Sequence, residues 1–122
     1  MSNIRLHISA IGAIGLSLCL FGCAPIQPAS PAASNVRITN QEPAHRCAFL
    51  GDITGSQGNF LLGSITSNAD LESGARNDLK NKAAAIGGNV VYLLTHRAGQ
   101  TGSSDHLAQT NVTLSGNVYR CQ

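Results

Sequence analysis

The chain has little of what fills large protein cores or attracts nucleic acid. Tryptophan is absent from its 122 residues, and aromatic residues make up only 4%. We therefore expect a small core built from aliphatic side chains. Charged residues account for 11%, with eight lysines and arginines scattered among six aspartates and glutamates. A charge balance so close to neutral gives no broad basic field, so nucleic acid is excluded as an expected partner.

One long stretch of mainly apolar residues without charge is present near the N-terminus, at 8–21, and it follows the basic residue Arg5. A basic start followed by an apolar segment is typical of a secretory signal. As a helix this stretch would span only ~21 Å, whereas a stable membrane-spanning helix must cross ~30 Å of hydrocarbon. The sequence therefore predicts export of the chain, with removal of residues 1–22.

The apolar stretch ends in Leu20-Phe21-Gly22-Cys23, which resembles the signal of bacterial lipoproteins, whose cysteine is acylated. Multiple acyl chains give stable anchoring, so the bilayer is the first predicted partner, through an acylated Cys23. Ala24 stands where an aspartate would resemble an inner-membrane retention signal, so we expect the periplasmic face of the outer membrane. The alternative is an ordinary secretory signal in which Cys23 is incidental.

The segment after the predicted signal, 23–40, is rich in proline, alanine and serine. Such a composition favours an extended, polyproline-like tether of ~3.1 Å per residue. The remainder, 41–122, is predicted to form a single small domain. At this size a hydrophobic core alone is marginal and a covalent cross-link adds stability.

Cys47 and Cys121 lie near the two ends of this domain. Thiols pair in oxidising compartments, so we predict a disulfide between them, with roughly 4 to 5 kcal/mol of stabilisation. Such a bond requires the first and last core strands to be neighbours. The alternative is a metal site that uses His45, His96 or His106, but none of the close spacings of structural zinc sites is present. We therefore expect neither a metal nor a cofactor.

A helical pattern covers 69–86, where apolar residues recur at intervals of three and four. Glu72, Arg76 and Lys80 form an i, i+4 series on another face. Asn68 is the predicted N-cap, and the helix is expected to stop at Gly87-Gly88.

Apolar and β-branched residues predict strands on both sides of this helix. After it come a central strand at 89–95, covered on both sides, and a partly alternating strand at 110–121. Before it, 47–54 and 59–65 are expected to pair through a turn at 55–58, and 36–39 can add an edge. The predicted fold is α+β, in the order β-β-α-β-β, with one helix on a mainly antiparallel sheet of four to five strands.

Three segments carry a resemblance to a known family: 75–84 in the helix, 87–91 after it, and 116–121 at the end, with 47–53 similar to a first strand. Together they resemble the small proteobacterial lipoproteins called domain of unknown function 4156. They are also distantly similar to RcsF, an outer-membrane lipoprotein that senses envelope stress. The resemblance supports the fold, the disulfide and the location, and it implies no catalytic residue.

Few polar residues are candidates for chemistry. Ser104-Asp105-His106 lies in a glycine- and serine-rich stretch, which cannot hold a catalytic relay rigidly. Asn77, Asn81 and Asn89 can form a recognition patch or brace neighbouring backbone. A predicted connection at 98–109 carries His106, which can contact a partner. We expect a non-enzymatic envelope lipoprotein that acts by interaction or stress sensing, with a small-ligand or metal-binding lipoprotein as the alternative.

Overall fold

One long helix lies on a four-stranded sheet in the computed structural model, which describes residues 24–122. The predicted signal and Cys23 lie outside the described residues. In chain order the elements are α1 (Pro31–Ser34), β1 (Arg37–Thr39), β2 (Ala48–Gly58), a 3-10 turn (Gly63–Ile65), α2 (Asn68–Ala85), β3 (Val90–Ser103) and β4 (His106–Arg120). The fold is α+β with the predicted order of strands around the main helix, α2.

The strand order in the sheet is β1-β3-β4-β2. The β2–β4 and β3–β4 pairs are antiparallel, whereas the short edge strand β1 pairs in parallel with β3. The first long strand is therefore next to the last one, as the predicted disulfide requires. Cys47 and Cys121 form that bond across the ends of β2 and β4, with their Cα atoms 4.3 Å apart.

The core lies between α2 and one face of the sheet. Its fully buried side chains are aliphatic: Val36, Leu71, Leu79, Val91, Val112, Leu114 and Val118. Within 24–122 no helix covers the other sheet face, and the residues there are largely polar. The prediction that β3 is covered on both sides is therefore wrong beyond its first residues, since Leu94 is 53% exposed.

Helix α2 has well-defined ends. Ser67, rather than the predicted Asn68, is the N-cap, and its side chain accepts a hydrogen bond from the Asp70 backbone amide at 3.0 Å. At the other end Gly87 has a positive φ of 85°, and Gly88 N donates to Ala83 O, which forms a Schellman stop. No helix within 24–122 is long and apolar enough to cross a membrane.

The predicted loop at 98–109 is wrong, because β3 and β4 continue as a hairpin as far as the two-residue turn Ser104–Asp105. This extension is rich in glycine, serine and glutamine, so its sequence lacks the apolar alternation of a strand. Backbone pairing continues outward until Ser103 pairs with His106, and the Thr101 and Thr110 hydroxyl groups add a side-chain hydrogen bond of 3.0 Å across the two strands. His106 thus begins β4 and is exposed near the tip.

The predicted turn at 55–58 and strand at 59–65 are also wrong. β2 runs through these glycines without turning, and 59–65 contains only the 3-10 turn. The reason lies in the packing of the helix. A Cβ on Gly55 would stand 2.5 Å from Leu79 N and 2.7 Å from Ala75 O, so glycine lets α2 approach the strand.

Candidate functional site

The segment predicted to be a tether is instead attached to helix α2 from Ile26 onward. Asn77 Nδ2 donates to Ile26 O at 2.8 Å, and Asn81 Nδ2 donates to Gln27 O at 3.0 Å. Ala29 N donates to Asn81 Oδ1 at 2.7 Å. These bonds satisfy polar backbone groups of residues 26–29, which belong to no strand of the structure. The prediction of an extended tether is therefore wrong for the residues that the structure describes.

The C-terminal end of the attached segment is held in place by the burial of its apolar side chains. Pro31 begins α1, capped by the Ser30 side chain, and Ala33 is only 1% exposed. Val36 is 2% exposed and belongs to the hydrophobic core. Proline-rich composition alone did not predict this, because two buried apolar residues and two asparagine side chains outweigh the tendency to extend.

Asn89 plays the same part at the C-terminus. Its Nδ2 donates to Cys121 O at 2.7 Å, and its Oδ1 accepts from Cys121 N at 2.8 Å. Each of the three predicted asparagines thus braces backbone of its own chain, which is one of the two roles that the sequence suggested. His106 is not near them, since it lies at the tip of the hairpin.

Replacing Asn81 with alanine is expected to lower the melting temperature by about 5 to 10 °C. It removes two backbone contacts, each worth about 0.5 to 1.5 kcal/mol, and the better helix propensity of alanine offsets part of the loss. Asn68→Ala is the matched control, because Asn68 makes no side-chain hydrogen bond within 24–122. Differential scanning calorimetry measures the melting temperature of both variants. Equal decreases in melting temperature for the two variants would show that Asn81 has no bracing role.

A groove of 640 Å³ lies between the attached segment, β1 and α2. It is lined by Ser34, Asn35, Val36, Arg37, Ile38, Ser73, Arg76, Asn77 and Lys80. Three of the lining side chains are cationic and none is acidic. The groove therefore has the electrostatic character of an anion-binding site.

The three cations differ in their pairing. Arg76 Nε donates to Glu72 Oε1 at 2.9 Å, and the second carboxylate oxygen lies 2.7 Å from His96 Nε2. Partial burial opposes ionisation of Glu72, but His96 and Arg76 together outweigh it and hold the pKa of Glu72 below its usual value. Glu72 thus offsets the charge of Arg76. Arg37 and Lys80 make no ion pair with any residue in the described part of the chain and are free to meet an anion.

The other sequence candidates do not form a site. Cys47 and Cys121 are consumed by their disulfide, and no group of three or more metal-ligating side chains occurs within residues 24–122. The Ser104–Asp105 turn and His106 lie exposed at the hairpin tip. The groove itself was missed because Arg37 lies far along the chain from Lys80, and the segment that brings it beside α2 was predicted to be a tether.

These features define a class of small domain, in which one helix on a mixed sheet holds an N-terminal segment and a disulfide joins two neighbouring strands. The chain belongs to the family described as Domain of unknown function (DUF4156), whose model matches residues 27–121. The matched range begins inside the attached segment, which is therefore part of the family's domain.

Among curated relatives the chain is similar to the Uncharacterized protein YjeI of Escherichia coli (strain K12) and of Shigella flexneri. Each is 34% identical over 117 residues, which is 95% of this chain and 98% of the relative. The aligned 95% of this chain contains more residues than the range 24–122, so the likeness extends into the predicted signal. No solved structure matches the chain significantly. The likeness to RcsF stays a prediction.

Proposed function

We propose that this protein is a non-enzymatic lipoprotein of the bacterial envelope, held through acylated Cys23 on the periplasmic face of the outer membrane. It acts by binding an acidic segment of another envelope protein in the groove between β1 and α2. The cationic lining of that groove carries the proposed binding role, since Arg37 and Lys80 have no ion-pair partner within 24–122. Envelope-stress sensing, which the RcsF likeness implies, is one process that such a contact can serve.

The proposed location is supported by three features. The Leu20-Phe21-Gly22-Cys23 tetrapeptide has the order of a lipoprotein signal. The Cys47–Cys121 bond suits an oxidising compartment such as the periplasm. The likeness to YjeI reaches into the N-terminal segment, so this segment is shared between relatives.

The proposed ligand chemistry follows from the groove's side chains. Arginine guanidinium groups bind carboxylates with two parallel hydrogen bonds, and lysine adds a mobile positive charge. Ser34 of α1 and Ser73 of α2 also line the groove, and hydroxyl groups suit the backbone of a peptide. The groove is open to solvent, so an acidic segment can enter from the side without unfolding the domain.

A second candidate is a small anionic ligand in the same groove. Its volume of 640 Å³ lies inside the range of about 300 to 1,000 Å³ that is usual for small-molecule sites. This candidate shares the cationic residues with the first, so the two differ only in the size of the bound molecule.

A photo-crosslinking residue at Ser73 tests the proposal in living cells. We expect a discrete adduct with an envelope protein, because Ser73 lines the groove. The adduct should disappear when Arg37→Glu and Lys80→Glu are combined, since two positive charges then become negative. Arg97→Glu is a single-site charge-reversal control, because Arg97 is an exposed residue of β3 that does not line the groove.

The outcomes separate the two candidates. An adduct that survives the double reversal, or the absence of any adduct together with no response to small anions, would count against the groove. A thermal shift with small dicarboxylates that the double variant abolishes, without any protein adduct, would favour the small-ligand candidate.

A further inference from the structure

An apolar cluster stands exposed between β2 and α2. Its four side chains are Phe60, Leu61, Leu62 and Ile65, which are 69%, 69%, 52% and 74% exposed. No charged residue occurs from 58 to 69. Single exposed apolar residues are ordinary on protein surfaces, but four within six residues indicate a contact surface.

The turn is shaped by its polar residues, which leave the apolar side chains outside. Asn59 Oδ1 accepts hydrogen bonds from the backbone amides of Leu61 and Leu62, both at 2.9 Å. Thr66 Oγ1 donates to Leu62 O at 3.0 Å, and Gly63 packs directly against the backbone of Thr110. The apolar cluster is thus presented on a braced turn and takes no part in the hydrophobic core.

The start of the described chain lies at the same end of the domain. Ile26 N donates to Gln57 Oε1 at 3.1 Å, and Phe60 follows Gln57 by three residues. Cys23 precedes Ile26 by three residues in sequence. A stretch of three residues spans at most ~11 Å, and this limit applies both from Gln57 to Phe60 and from Cys23 to Ile26. From Ile26 the attached segment runs along α2 from Asn77 toward Asn81, away from the end of the helix that follows the apolar cluster. The chain therefore enters the domain from the cluster's side.

We infer that the apolar cluster rests in the lipid surface beside the anchor, so that the domain stands end-on on the bilayer. The inference rests on the proposed acylation of Cys23. A short uncharged apolar turn suits the boundary between headgroups and acyl chains, because no ion must be desolvated there. The anchor holds this turn within a few nanometres of lipid, where a second contact with the bilayer costs little further ordering.

The absence of tryptophan makes a direct test possible. Phe60→Trp puts the sole tryptophan of the chain in the apolar cluster. Phe49→Trp is the matched control, because Phe49 is 56% exposed and lies at the opposite end of β2. Each full chain is purified with its lipid from bacterial membranes and reconstituted into phosphatidylethanolamine–phosphatidylglycerol vesicles, with or without brominated acyl chains. We expect brominated lipid to quench most of the emission at position 60 and none at position 49.

Two further measurements distinguish a failure of this inference from a failure of the proposed anchor. The intact mass shows whether the chain carries acyl groups, and flotation shows whether it binds the vesicles. If the Phe60→Trp chain carries acyl chains and floats with the vesicles but its emission is not quenched, the apolar cluster does not touch lipid and the inference is overturned. Equal quenching at both positions overturns the end-on arrangement. A blue shift at position 60 without quenching shows that the side chain is buried against protein and not in lipid, which also overturns it. A chain without acyl groups refutes the anchor and, with it, this inference. Leu61→Trp provides the same readout if Phe60→Trp does not fold.

Discussion

Replacing Cys47 and Cys121 together with alanine is expected to lower the free energy of unfolding by about 4 kcal/mol. The bond joins residues 74 apart in sequence, and it therefore closes most of the domain into one loop. Without it the unfolded chain gains conformational freedom that the folded chain does not. Since small domains have only about 5 to 15 kcal/mol of stability in total, the variant should be marginal at growth temperature.

The loss of stability should arise mainly from the greater freedom of the unfolded chain. In the folded chain, other contacts keep the two strand ends in place. Asn89 holds both backbone polar groups of Cys121, and Phe49 packs edge-on against Tyr119 with ring centroids 5.7 Å apart. The folded structure of the double variant should therefore resemble that of the parent. Changing both cysteines avoids leaving a free thiol that could form intermolecular bonds.

Urea unfolding of the parent, the reduced parent and the double variant measures this effect. The reduced parent and the double variant should agree with each other and fall well below the oxidised parent. If the free energies of unfolding of the oxidised parent and the double variant differ by less than about 1 kcal/mol, the unfolded chain keeps its ends together without the disulfide.

The sequence predicted those parts of the fold that depend on neighbouring residues. The spacing of Leu71, Ala75, Leu79 and Ala83 places them on one face of a helix, and all four are buried against the sheet. Gly87-Gly88 marks the helix stop correctly, because a positive φ at that position favours glycine in any context. The disulfide was predictable because Cys47 and Cys121 are the two cysteines of the predicted domain and thiols pair in the oxidising compartment that the sequence led us to expect.

The errors concern residues whose conformation is decided by distant partners. Ile26 to Ala29 looked like a tether because the asparagines that hold them are about fifty positions later in the chain. Residues 98–109 looked like a loop because their strand character depends on pairing with each other and not on apolar alternation. The groove depends on the first of these segments, so it could not be predicted from sequence.

Replacing Gly55 with alanine is expected to lower the free energy of unfolding by about 3 kcal/mol, at the upper end of the usual cost of overpacking. The new Cβ would meet the backbone of α2, at 2.5 Å from Leu79 N and 2.7 Å from Ala75 O. A side chain could rotate away from such a contact, but the helix backbone must move as a unit. That movement would loosen Leu79 and its neighbours in the core.

Gly87→Ala is the control that separates this packing effect from the general cost of replacing a glycine. A methyl group on Gly87 would have no atom within 4 Å, but the φ of 85° disfavours alanine by about 1 to 2 kcal/mol. Gly55 carries no such backbone restriction, so its loss should come wholly from the helix contact and should exceed that of Gly87. Urea unfolding measures both variants. If Gly55→Ala proves the milder change, the close approach of α2 to β2 is not what requires glycine in the middle of this strand.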